Sequence, residues 1–132
     1  MKYLLDTNIC IYLIRERSKP LLEKIIANSS EGLGLSVITV CELEFGVAKS
    51  SAKEKNRLAL DRFINKFSVL PLGEKVAKTY GELRAGLEVN GTPIGPLDLL
   101  IAAHALAENL TLVTNNEYEF KRVTGLRVEN WT

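Results

Sequence analysis

At 132 residues the chain suits one packed domain and is too short to divide into two. Its 46% apolar and 25% charged residues exclude an intrinsically disordered chain. A net charge of +1 provides no overall basic footprint, which argues against a tight non-specific binder of nucleic acid but not against an enzyme with a local site.

In chain order, Met1 to Asp6 is too short an apolar run for a secretory signal, and no stretch nears the roughly 18 apolar residues of a membrane span. A cytoplasmic location without a membrane partner is the expectation. Tyr3-Leu4-Leu5 reads as a buried strand, followed by a helix from about Thr7 to Arg17. Pro20 opens a second helix, which the polar and glycine-rich Asn28–Gly34 segment ends. Leu35-Ser36-Val37 is the next strand, about Thr39 to Lys49 a third helix, and Ala52 to Lys66 a fourth. Phe67–Leu70 reads as a strand stopped by Pro71, and Glu74 to Val89 as a long amphipathic helix. Pro96 suits the first turn of a helix reaching about Glu108. Leu110–Val113 and Leu126–Val128 complete the strands. Cys10 and Cys41 sit among apolar neighbours in helical runs and are expected as buried, free thiols.

This alternation predicts an α/β/α sandwich, residues 1–132 forming one domain around a mostly parallel sheet of four to five strands. In such sheets the functional crevice lies beyond the C-terminal strand ends. Asp6 directly follows the first strand, Glu42 and Asp98 lie early in helices, and Asn116 and Glu119 follow the strand ending at Val113. Carboxylates gathered there repel one another unless a cation joins them. Oxygen donors without a convergent cysteine or histidine set suit Mg²⁺, with Mn²⁺ as a substitute, and the hydrolysis of phosphate esters by metal-activated water. Each acid also has a structural reading. Asp6 fits a turn, Thr39-Val40-Cys41-Glu42 fits a capping box, and Asp98 suits the positive end of a helix dipole. Thr7 and Asn8 are both candidates to cap the first helix, Asn8 the better one.

Leu4-Leu5-Asp6-Thr7-Asn8-Ile9, Thr39-Val40-Cys41-Glu42-Leu43, Ile94-Gly95-Pro96-Leu97-Asp98-Leu99-Leu100-Ile101-Ala102-Ala103 and Val113-Thr114-Asn115-Asn116 occur in this order. Together they resemble the PIN-domain ribonucleases, and among them the VapC toxins of bacterial toxin–antitoxin operons. The resemblance runs through Arg127–Trp131. It implies that Asp6 and Asp98 are the main Mg²⁺ ligands, that Glu42 completes the catalytic acids, and that the Thr7 hydroxyl helps hold the metal site. It further implies RNA, a structured RNA such as a tRNA, as substrate. The expected assembly is a homodimer with a cognate antitoxin that inserts a segment, with an arginine or similar group, over the crevice. Asn116 departs from the pattern, standing where many PIN domains have a fourth acid. Either Glu119 supplies that charge or the site works on three acids.

Other residues weigh differently. His104, six residues after Asp98, is expected to be a packed helix residue, and Trp131 to pack the last strand against the body. Lys49, Lys53, Lys55 and Arg57 form a basic stretch that is either a solvated face or an RNA phosphate contact, and Arg84 is a similar candidate for phosphate or antitoxin. A signalling receiver domain is disfavoured because Asn8 is neutral and the middle strand leads to Leu72-Gly73. The competing reading is an RNA- or protein-binding module on the same fold with an impaired site, kept open by Asn116.

Overall fold

The computed structural model describes residues 1–132 throughout. The chain runs β1 (Tyr3–Leu5), α1 (Thr7–Ile14), α2 (Lys19–Asn28), β2 (Leu33–Ser36), α3 (Val37–Ala48) and α4 (Lys53–Ile64). It continues through β3 (Ser68–Leu70), α5 (Glu74–Val89), α6 (Pro96–Ala107), β4 (Thr111–Val113), α7 (Glu117–Phe120) and β5 (Val128–Glu129). The five strands form one parallel sheet in the order β3-β2-β1-β4-β5.

Strand alternation explains the three layers. On β1, Tyr3 and Leu5 enter one core and Leu4 enters the other, as a strand covered on both faces requires. The first core brings Leu21 of α2, Leu43 of α3 and Phe63 of α4 onto the sheet. The second brings Leu87 of α5, Ile101 of α6 and Phe120 of α7 against Leu4 and Leu112. Trp131 is buried, meets Tyr3 edge-on at 4.8 Å between ring centres, and donates Nε1–H to Glu129, so it closes the first core as expected.

The chain lays strands outward on one side of β1 through β2 and β3, then returns to build β4 and β5 on the other side. The order therefore reverses between β1 and β4, and a crevice opens at their C-terminal ends. Asp6 continues the pairing by donating its N–H to the Val113 carbonyl at 3.0 Å.

Several boundaries differ from expectation. β2 starts at Leu33, because Leu33 and Leu35 alternate into the core around Gly34. At Gly34 an added Cβ would stand 3.0 Å from Met1 Sδ and 3.3 Å from Leu70 Cδ1, so a side chain there would require its neighbours to give way. α3 starts at Val37, capped by the Ser36 hydroxyl, which accepts the Ile38 N–H at 3.1 Å. Thr39 therefore lies inside the helix, and the capping box with Glu42 does not form. α1 ends at Ile14, with Glu16 turned into the left-handed region (φ 52°). Cys10 is buried, but Cys41 is exposed, contrary to expectation; both are free.

His104 is wholly buried on α6, as expected of a packed residue, and Nδ1 lies 2.8 Å from Ser36 Oγ. Ser36 Oγ also accepts the Ile38 N–H, so this one hydroxyl links the ring on α6 to the cap of α3. Nε2 has no hydrogen-bond partner, and burial lowers the pKa of the ring, opposed by the Glu108 charge and the Pro71 backbone.

Candidate active site

Asp6 does two local jobs. It is the residue that leaves β1, and its extended backbone (φ −77°, ψ 172°) makes it the N-cap of α1, with Oδ1 accepting the Ile9 N–H at 2.8 Å. Asn8, expected to be the cap, is exposed on the helix instead. Asp6 is only 3% exposed, and burial pushes its carboxyl up to about 6. Thr114 and the Ile9 N–H oppose that rise, while the charge of Glu42 adds to it.

Asp98 occupies the third position of α6, after Gly95 and Pro96 have opened the helix. Burial first, and then the charges of Glu119, Asp6 and Glu42, together raise its carboxyl to about 6. The four acids singled out in the sequence thus share one electrostatic neighbourhood. None of them is in an ion pair with a lysine or arginine.

Glu42 projects from the middle of α3, and its Oε1 accepts the Thr7 hydroxyl at 2.6 Å. The Thr7 and Thr39 hydroxyl oxygens are 3.2 Å apart. Thr7 has one proton and gives it to Glu42 in the shorter contact, so Thr39 donates to Thr7 in the longer one. Thr39 is buried and was not singled out as a site residue; no spacing signal distinguishes it from a helix-core threonine.

On the other side, Asn116 donates Nδ2–H to Glu119 Oε2 at 2.8 Å. Glu119 Oε1 accepts the Gly95 N–H at 3.2 Å, which ties α7 to the start of the Asp98 helix. The amide at position 116 therefore orients a carboxylate that faces Asp98.

The donors fit a hard divalent cation: all are oxygens, and two carboxyls are raised, chiefly by burial and further by neighbouring negative charge. No three carboxylate, imidazole or thiolate side chains form a complete cage, since Glu42 and Glu119 are held by Thr7 and by Asn116 with Gly95. Mg²⁺ does not need one, because it keeps several waters and commonly uses one or two carboxylates.

The basic candidates lie elsewhere. Lys49 ends α3 with Nζ 4.9 Å from the Phe45 ring centre, and Lys53 is exposed at the start of α4. Arg57 is committed to Glu44 and Asp61, and Arg84 to Glu88 and the Tyr80 hydroxyl. Beginning at Thr7, Asn8 and Glu42, a cleft of about 720 Å³ runs between α1, α3 and α4, past Ile14 and Phe45 to Lys49.

Fold and site together define a three-layer α/β protein with an acidic crevice at the switch point of a parallel sheet. The PIN domain family profile matches residues 3–126. The chain is 46% identical to Ribonuclease VapC2 of Rickettsia felis, over 99% of this chain and 98% of that protein. It is 40% identical to the tRNA(fMet)-specific endonuclease VapC of Salmonella typhimurium, with the same coverage. The solved structure of VapBC2 from Rickettsia felis, bound to a DNA fragment from its promoter, superposes with a TM-score of 0.95 at 44% identity, covering both chains completely. The chain belongs to the PIN domain family, in its VapC branch, and is a nuclease.

Proposed function

We propose that this protein is a divalent-metal-dependent endoribonuclease, the toxin of a toxin–antitoxin pair, acting on structured RNA of the tRNA class. The reading is supported by the charges of Asp6, Glu42 and Glu119 reaching Asp98, that of Glu42 reaching Asp6, and none of the four acids being paired with a lysine or arginine. Asp6 and Asp98 would hold Mg²⁺ or Mn²⁺, with Glu42 completing the set. Such an ion supplies a lowered pKa to bound water and neutralises charge on the phosphodiester. The chain's own part is orientation: the Thr39–Thr7 relay aims Glu42, the Ile9 N–H fixes one Asp6 oxygen, and Asn116 aims Glu119. The relative in Salmonella typhimurium named for tRNA(fMet) supports a tRNA substrate.

The apolar cleft that starts at Thr7 and Glu42 fits an antitoxin segment carrying apolar side chains and ending in a cation over the acids. Support for that partner comes from the solved VapBC assemblies of Rickettsia felis and Salmonella typhimurium. A homodimer belongs to the same reading.

The test is cleavage of a tRNA pool that includes initiator tRNA, with Mg²⁺, with Mn²⁺ and with EDTA, beside Asp6→Asn prepared identically. Discrete cuts that require the metal and vanish in the variant are expected. Wild-type cutting in EDTA would overturn the metal role; RNA binding without cutting would favour the impaired-module reading. Thr7→Val removes the relay at a position outside the core. It is expected to lower the cleavage rate roughly 10- to 100-fold, the usual cost of losing a group that orients a metal ligand. Thr7→Ser should restore most of the rate.

A further inference from the structure

We propose that Tyr118 and Arg122 form a base-stacking subsite for one nucleotide of the RNA on the rim of the acidic crevice. The proposal rests on the RNA-cleaving reading and specifies how that site holds its substrate. α7 is anchored by Phe120, which is 1% exposed, while Tyr118 two residues earlier is 82% exposed. An aromatic ring left in water on one turn of helix is unremarkable alone. This ring, however, has a cation against it.

The Arg122 guanidinium lies 5.3 Å from the Tyr118 ring centre, one turn further along. Arg122 is itself pinned, with Nη1 donating to the Pro93 carbonyl at 2.8 Å. Pro93 precedes Gly95, whose N–H is taken by Glu119. The Arg122 and Glu119 bonds thus staple this turn to the loop that delivers Asp98, and the ring is carried on the residue directly before Glu119.

The charge balance explains why such a platform is needed. With a net charge of +1, the protein has little general attraction for a polyanion, and the acids at the crevice repel phosphate. Stacking on a ring is independent of charge and tolerates any base. The remaining guanidinium N–H groups of Arg122 can meet the adjoining phosphate, and the exposed ring can take an unpaired loop base.

The experiment measures steady-state cleavage of a tRNA pool including initiator tRNA, together with binding of the same fluorescent RNA to protein carrying Asp98→Asn. Tyr118→Ala is expected to raise KM and Kd roughly 10-fold with kcat within about twofold, as the loss of one stacked base implies. Tyr118→Trp and Tyr118→Phe should keep wild-type values, which a purely structural role for the hydroxyl would not allow. Arg122→Ala should weaken binding and reduce the slope of log K against log salt by about one. Unchanged KM and Kd in Tyr118→Ala, with the wild type cutting normally, would overturn this subsite and leave the nuclease standing. The same result with weakened antitoxin binding would reassign the ring to a protein contact. A wild type that neither binds nor cuts RNA would remove both readings together.

Discussion

Asp98→Asn should abolish RNA cleavage while making the protein more stable at neutral pH. The loss of activity is expected to exceed about 100-fold, since even groups that merely orient metal ligands are worth 10–100-fold. The gain in stability follows from the geometry of the native site. Asp98 is raised to about 6 by burial and by Glu119, Asp6 and Glu42, so its ionised form is unfavourable in the fold. Removing that charge without changing shape should yield about 1 kcal/mol, the shift being discounted for a half-exposed position. The melting temperature would rise by about 3–5 °C. Added Mn²⁺ should raise the melting temperature of the wild type, through binding to the folded state, but not that of the variant. Thermal melts and cleavage assays on the same preparations check all three outcomes. A variant that loses both activity and stability would mean that Asp98 holds the fold rather than the reaction.

His104→Ala should destabilise the protein by about 3–4 kcal/mol, from the cavity left in the second layer and from the stranded Ser36 hydroxyl. A shape-preserving test is sharper. His104→Leu keeps most of the volume but leaves Ser36 without its partner, at a cost of about 1–3 kcal/mol. Adding Ser36→Ala removes the stranded group, so the double variant should lose less than the sum of the singles, even though the α3 cap goes with it at about 1 kcal/mol. Additive losses in denaturant titrations would show that the two residues are not coupled.

The two kinds of group also give opposite pH dependence. Asp6 and Asp98, raised from 3.8 to about 6, bind protons in the fold that the unfolded chain does not, so through them stability increases as pH falls across that window. His104 is lowered in the fold, so its unfolded form gains a proton first, near 6.5, and stability is lost as pH falls below that. Between about pH 4 and 6 the effects oppose each other. In His104→Leu the acid-side stabilisation by the carboxylates should stand alone as a steeper slope.

Most of the layer order was legible because each strand and helix carried its own period. Tyr3-Leu4-Leu5, with apolar side chains on both faces, read as a buried strand, and it lies in the middle of the sheet. The failures have physical causes. Asp, Asn and Ser cap helices about equally well, so neither the cap at Asp6 nor the one at Ser36 stood out from Asn8 and Thr39. α3 is apolar nearly all round, which hid the fact that Cys41 and Phe45 face the open cleft and not the core. An apolar face left unburied breaks the pattern, and such breaks concentrate where a protein meets its partners. The positions of Asp6, Glu42, Asp98 and Glu119 after strands were readable; the relay through Thr39 was not, because it depends on the approach of α1 to α3.

The placement of β1 between β2 and β4 has a consequence for synthesis. Asp6 is made long before Val113 and Asp98, yet its backbone is locked by Val113 and its electrostatic partners include Asp98 and Glu42. At ribosomal rates of about 5–20 residues per second, several seconds separate the two edges of the crevice. A nascent chain therefore carries only half of the candidate site. Only when β4 slots in beside β1 does cutting become possible, and by then the cleft from Thr7 to Lys49, built from α1, α3 and α4, has already emerged and can be occupied.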